Sequence, residues 1–360
     1  MKLAIVMGTR PEIIKLSPII NKLSEKSCSI IFTGQHYDYN MSLQFLKNLG
    51  IRNPDYKMKL TKLHNTTTGR AIQSGEIMIN LAKIISKIEP DTVVVQGDTN
   101  TVLASSIASL KCNIPVSHVE AGLRSYDWRM PEEHNRIAVD HISELLFAPT
   151  KFNRKTLTEE KVHGKIFVTG NTAIDAVCEN IKNIDRMKKI SIDSENFALL
   201  TLHREENVDN SLTLTKIMKA LIQSKTKLLF PIHPRTLKRL KQFGLLDKVK
   251  NSTNITILPP IGYFDMLYLM KKCNLIISDS GGIQEEATAP PIRKKVLVLR
   301  DSTERIEAVK DGYSEIIGTN PITIIRSIQQ NIDNPIKITK NPYGNGKASN
   351  KIIQVLRKNF

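Results

Sequence analysis

The sequence predicts an α/β protein made of two doubly wound halves. Three features carry that reading. Short β-branched and aliphatic runs end at glycine or a polar residue and give way to stretches with helical spacing. The alternation runs from Leu3 to Ala148 and starts again at Asn196. The residues after the runs are His, Arg, Asp, Glu and Gly, where random loop ends would show more Lys, Ser and Asn. Strands alternating with helices imply a mostly parallel sheet covered on both faces. Two consecutive sets imply two domains with a cleft between them.

In chain order, Leu3–Met7 reads as a strand ending at Gly8. Pro11 then opens a helix with apolar residues at Ile13, Ile14, Leu16, Ile19, Ile20 and Leu23. Proline in the first helical turn costs no hydrogen bond. Residues 29–32 read as a strand, 75–88 as a helix, and 91–96 (DTVVVQ) as a β-branched strand running into Gly97. A helix over 101–111 and strands over 114–119 and Leu145–Ala148 follow. In the second half, 196–202 is a strand, 212–223 a helix and 227–232 a strand before His233-Pro234-Arg235. Strands at Ile255–Leu258, Leu275–Ser278 and 296–299 complete that set. Residues 171–194 are charged and read as the connection. A Pro/Gly/Asn turn over 341–346 precedes a helical end at 351–358.

Composition narrows the function classes. The 360 residues are 41% hydrophobic and 24% charged, which excludes a disordered or collagen-like chain. No run of about 18 apolar residues is present, so no membrane-spanning helix is expected. The first apolar run is too short for a signal peptide. Cys28, Cys112, Cys178 and Cys273 lie far apart with no CxxC pair, so a cytosolic, reduced protein without a structural zinc is expected. The 52 Lys and Arg exceed the 35 Asp and Glu, a net charge of +17 that raises the prior for an anionic partner. Nucleic-acid binders interleave basic residues with aromatics, which make up only 5% here, so no nucleic-acid partner is expected.

Ligands of open α/β sheets bind beyond the carboxyl ends of the strands. The residues placed there are Gly8-Thr9-Arg10-Pro11-Glu12, Gly34-Gln35-His36, Gly97-Asp98-Thr99, Glu120-Ala121-Gly122-Leu123-Arg124, His203-Arg204-Glu205, His233-Pro234-Arg235 and Asp279-Ser280-Gly281-Gly282. Ser280-Gly281-Gly282 reads as a glycine turn that lets a phosphate approach the backbone at a helix start. Arg10, Arg124, Arg204, Arg235 and Arg305 can supply charge for a diphosphate, which suits the planar guanidinium fork. Neither GxGxxG nor GxxxxGK[ST] occurs, so dinucleotide and P-loop binding lack support. His118-Val119-Glu120 matches H-x-E of the zinc deaminases, but P-C-x-x-C is absent, and no metal is expected. Asp98, Glu120, Glu132 and Glu133 can divide acid and base roles between them. His203 adds a group that titrates near neutrality.

The motifs GTRPEIIKLSP, GQH, VVVQGDTNTVLA, HVEAGLRS, MPEEHNR, FVTGNTAIDA, LTLHREENVD, PIHPRT, SDSGGIQEEA, LRDSTER and NPYGNGKAS occur in this order from Gly8 to Ser349. Together the chain resembles the non-hydrolysing UDP-N-acetylglucosamine 2-epimerases. The resemblance implies two Rossmann-like domains in the GT-B arrangement with the active-site cleft between them. The division would be residues 1–170, joined by the C-terminal helix 345–360, and a UDP-binding domain over 171–340. It implies reversible epimerisation of UDP-GlcNAc to UDP-ManNAc by anti elimination of UDP to 2-acetamidoglucal and re-addition, with no cofactor. A modified UDP-sugar such as UDP-2,3-diacetamido-glucuronic acid, a hydrolysing relative and a GT-B glycosyltransferase are the alternatives.

Carried over by motif, Asp98, Glu120, Glu132 and His203 match the catalytic set. Arg10, Lys15, Gln35, His36, Arg124, Arg204, His233, Arg235, Ser280, Gly281, Gly282, Glu286 and Arg305 match substrate contacts. Among these, Ser280, Gly281 and Gly282 match the diphosphate turn and Glu286 the ribose contact. The resemblance also implies a cytoplasmic homodimer. Residues 287–295 (ATAPPIRKK) depart from the family as a longer turn after Glu286, and residues 64–70 (HNTTTGR) differ from the family's activator segment.

Overall fold

The computed structural model describes residues 1–34, 45–61, 66–182, 184, 196–334 and 340–360. The chain forms two units, one of Met1–Ala176 with Tyr343–Phe360 and one of Val177–Pro342. The first holds seven strands: β1 Leu3–Met7, β2 Cys28–Phe32, β3 Tyr56–Lys57, β4 Thr92–Gln96, β5 Val116–Val119, β6 Leu145–Ala148 and β7 Lys165–Val168. They pair in parallel in the order β3-β2-β1-β4-β5-β6-β7. The second unit holds β8 Ala198–Thr201, β9 Leu228–Pro231, β10 Ile255–Leu258, β11 Leu275–Ser278, β12 Lys295–Val298 and β13 Ser314–Ile316, parallel in the order β10-β9-β8-β11-β12-β13.

Both sheets are thus doubly wound, as the alternation predicts. Helices cover both faces of a parallel sheet, so its central strands are buried along their whole length rather than on one face only. Every residue of β1, β4, β5, β6, β8 and β11 is buried. The strand order reverses between β1 and β4 in one unit and between β8 and β11 in the other. Ligands of such sheets bind at this reversal, beyond the strand ends. There the chain places Gly8–Glu12 with Gly97–Thr99, and His203-Arg204 with Asp279-Ser280.

The structure departs from the sequence reading at weak elements. The helix expected over 75–88 begins eight residues earlier, as Thr67–Ile88, because the Thr66 hydroxyl accepts the Gly69 N–H and caps it. Threonine and glycine are poor helix formers, which hid this first stretch. Strands β3, β7 and β13 were not read. They are edge or near-edge strands of two to four residues, and a run that short carries little periodicity. Within 171–194, read as connection, Thr172–Asn180 is a helix.

That helix ties the C-terminus to the first unit. Asp175, wholly buried, accepts the N–H groups of Ala348 at 3.0 Å and Ser349 at 2.8 Å, and the Ser349 hydroxyl at 2.6 Å. It thereby satisfies open donors at the start of the terminal helix Ala348–Asn359. Gly170 lies against the same segment: a Cβ there would stand 2.9 Å from the Tyr343 carbonyl oxygen. Asp175→Ala would leave two helix-start amides without their acceptor, at a cost of about 1–3 kcal/mol. Urea unfolding of the intact chain measures it. An unchanged midpoint and slope would show that the tie does not hold the helix.

Candidate active site

In the first unit, the parallel register pairs Gln96 with Val119, so β4 and β5 end level with each other. The next residues outward are Gly97-Asp98 and Glu120. Glu120 is 8% exposed and sits at φ +74°, a conformation that disfavours a side chain with a Cβ. Such strain persists only where surrounding contacts impose it. Here the Lys15 Nζ reaches Glu120 Oε2 at 2.5 Å, and the Gln96 amide donates to the same oxygen at 3.1 Å. Gly122, at φ +85°, admits no side chain: a Cβ would lie 2.6 Å from the Asn153 carbonyl oxygen.

Asp98 is held by a guanidinium. Arg136 donates through one nitrogen to Asp98 and through the other to Glu133 at 2.5 Å. Glu133 is fully buried and also accepts the Ser125 and Tyr126 amides and the Ser125 hydroxyl. Burial works against its charge, but these donors and Arg136 hold its carboxyl below the usual range. Glu132, the family's catalytic match, is exposed in the first turn of helix Pro131–Ile142. Arg10 is exposed, with its guanidinium 5.5 Å from the Phe45 ring centre. Arg124, expected at the substrate, turns inward: its side chain is 1% exposed and pairs with Asp140 at 2.7 Å and Glu160 at 2.5 Å. Gln35 and His36 lie outside the described residues.

In the second unit, buried Asp279 accepts the N–H groups of His203 at 3.2 Å and Arg204 at 3.0 Å, and its carboxylate lies 3.4 Å from His203 Nδ1. The His233 ring stands 5.5 Å from that of His203. Burial first, and then Arg204 and Arg235, push the His203 imidazole below its ordinary value, against the pull of Asp279 and Glu206. His203 is therefore neutral near pH 7. Arg235 pairs with Asp209 at 2.5 Å and Glu205 at 2.7 Å.

Gly281 admits Glu304: a Cβ would meet Glu304 Oε1 at 2.9 Å. Around Glu304 stand Arg300 at 2.9 Å and Arg204 and Arg305 at 3.4 Å, while Arg305 also pairs with buried Glu285 at 2.5 Å. Burial opposes the Glu304 charge, but the three arginines hold its carboxyl far below the usual range. Glu286 is half-buried near Tyr263, whose hydroxyl is pushed up by burial and by the Glu286 charge. The sequence reading quoted Arg136 and Glu304 within motifs without giving them a part, and Asp140 and Glu160 not at all. Each also bonds to a partner 18 to 100 positions away. Among the described residues, no group of three or more His, Cys, Asp or Glu side chains can hold a metal ion.

Glu12 is buried between the two loops of the β1–β4 reversal. It accepts the Gly8 and Thr9 amides at 2.5 and 3.1 Å and the Thr99 hydroxyl at 2.5 Å. Burial outweighs these bonds and pushes its carboxyl up to about 7. The unfolded chain sheds this proton near the ordinary 4.5, so between the two values it binds fewer protons than the folded one. Stability therefore falls as pH rises through that window, by at most about 3 kcal/mol. Glu12→Gln keeps the shape and removes the titration. It is expected to flatten the pH dependence of the unfolding midpoint there, and an unchanged slope would assign that dependence to other groups.

Comparison with known proteins identifies the family. A model of the UDP-N-acetylglucosamine 2-epimerase family matches residues 20–357. The UDP-N-acetylglucosamine 2-epimerase of Methanocaldococcus jannaschii is 43% identical over 99% of both chains. The UDP-2,3-diacetamido-2,3-dideoxy-D-glucuronate 2-epimerase of Pseudomonas aeruginosa is 35% identical over 99% of this chain and all of its own. The crystal structure of the M. jannaschii enzyme with UDP-GlcNAc and UDP superposes with a TM-score of 0.87 at 42% identity, over 99% of this chain and all of the other. With a family model covering most of the chain and full-length relatives above 30% identity, the chain belongs to the UDP-N-acetylglucosamine 2-epimerase family.

Proposed function

We propose that the protein interconverts UDP-GlcNAc and UDP-ManNAc by epimerisation at C2. Besides family membership, the observation that supports this most is the pair of carboxylates at level strand ends, each held by a cation: Asp98 with Arg136 and Glu120 with Lys15. The C2 proton is not next to a carbonyl and is not acidic. Elimination solves this: a carboxylate takes the C2 proton as the C1–O bond to UDP breaks, giving 2-acetamidoglucal and UDP. UDP then adds back as a proton reaches the other face of C2. Acid–base groups at C2 and cations on the departing diphosphate are what this step needs.

The first-unit carboxylates Asp98, Glu120 and Glu132 supply the proton transfers in this reading. In the second unit, the Ser280–Gly282 turn and Arg204 and Arg305 receive the diphosphate, Glu286 accepts from the ribose hydroxyls, and neutral His203 can donate to a departing oxygen. The Pseudomonas relative supports one second reading, the same chemistry on a diacetamido-glucuronate. The active form is proposed to be a homodimer, checked by sizing against the 40.6 kDa chain.

NMR of the protein with UDP-GlcNAc alone in D₂O tests the reaction. UDP-ManNAc with deuterium at C2 is expected. Free ManNAc and UDP would indicate hydrolysis, and no change would move the substrate to the modified sugar. Asp98→Asn and Glu120→Gln are each expected to lower turnover by about two orders of magnitude while the chain stays folded. Near-normal turnover in both would remove these carboxylates from the mechanism.

A further inference from the structure

Beneath Asp98 and Glu120 lies a polar network that the reading above does not use. His118 on β5 and Asp140 in helix Pro131–Ile142 are both wholly buried. The His118 ring bridges two segments: Nδ1 lies 2.8 Å from Asp140 Oδ1, and Nε2 lies 2.9 Å from the Gly97 carbonyl oxygen, to which it donates. The second Asp140 oxygen accepts the Gly122 N–H at 3.1 Å and pairs with Arg124 at 2.7 Å. Glu160 holds the outer end of Arg124 at 2.9 and 2.5 Å.

One imidazole and one carboxylate therefore grip the backbone just before Asp98 and two residues after Glu120. Both gripped residues are glycines at positive φ, +84° and +85°. Glycine leaves the backbone its widest freedom, so an outside contact is needed to hold such a turn in place. A buried network of this kind is costly unless every member is satisfied. Apolar residues of equal volume would hold β5 to the helix as well or better. What they could not do is hold a carbonyl on one side and an amide on the other.

We propose that His118 is a positioning residue for the C2 chemistry: with Asp140 it fixes the Gly97 carbonyl and the Gly122 amide, and so sets how Asp98 and Glu120 reach the sugar. The role rests on the epimerase reading. His118→Asn keeps at most one of the two bonds, Asp140→Asn keeps shape without charge, and Glu160→Gln loosens only the far end of the network.

Each variant is assayed for kcat, KM and thermal midpoint beside the unmodified protein. His118→Asn and Asp140→Asn are expected to lose kcat about 10- to 100-fold, as a displacement near 1 Å does, with KM for UDP-GlcNAc within about threefold. Glu160→Gln is expected to lower the thermal midpoint yet keep kcat within about twofold. A folded His118→Asn protein that keeps its kcat overturns the role, and Asp140→Asn decides in the same way if that variant does not fold. Equal kcat losses in all three also overturn it, since general loosening would then explain them. An unmodified protein inert toward UDP-GlcNAc overturns UDP-GlcNAc as the substrate and moves the same assay to the diacetamido-glucuronate, whereas active unmodified protein with unaffected variants overturns only the positioning role.

Discussion

Two carboxylates at neighbouring strand ends, each paired with a cation brought in from a different helix, are the constraint around which much of the first unit is arranged. The parallel register brings β4 and β5 out at one level, so Asp98 and Glu120 emerge side by side. Each has a cation beside it. Lys15 arrives from the helix after β1 and Arg136 from the helix after β5, each from a different crossover. Glu120 takes up its strained backbone between the Lys15 contact on one side and the Gly122 turn on the other.

The same device recurs wherever a loop must be held. Buried carboxylates in this chain mostly receive backbone N–H groups. Glu12 takes Gly8 and Thr9, Glu133 takes Ser125 and Tyr126, Asp140 takes Gly122, Asp175 takes Ala348 and Ser349, and Asp279 takes His203 and Arg204. A carboxylate offers two oxygens with several lone pairs and can serve amides that converge from different segments. In a doubly wound sheet the loops past the strand ends have no ladder to join. Side-chain acceptors serve the backbone amides there instead.

The two units differ in how they use arginine. In the first, Arg124 and Arg136 are internal, each shared between two carboxylates. In the second, Arg204, Arg300 and Arg305 gather on Glu304 beside the Gly281 turn, so one acid holds three guanidiniums close together. Glu285 and Glu206 share the same arginines, so three guanidiniums stand against three carboxylates at the place where the resemblance expects a diphosphate.

The sequence by itself determined the fold class, the central strands, the helices Arg10–Ile20, Asn100–Lys111 and Ser211–Gln223, and the rim residues, and it left helices such as Pro131–Ile142 and Pro321–Asn331 unassigned. Buried parallel strands read as unbroken aliphatic runs, and the residue after each run must lie at the strand end. LAIVM, TVVVQ and LIIS each show this. It did not determine the edge strands β3 and β13, where two or three residues pair only because a neighbouring strand offers free groups. Nor did it determine what each rim residue touches. Arg124 after strand β5 and Arg136 in the following helix are both basic residues in sequence, and only the tertiary structure turned one onto Asp140 and the other onto Asp98. The reason is physical. Periodicity reports which face a residue lies on, because burial repeats along the chain. The partner of a buried charge is chosen by residues far away in sequence, because desolvation must be offset by whatever opposite charge or hydrogen bond the packed elements bring within reach.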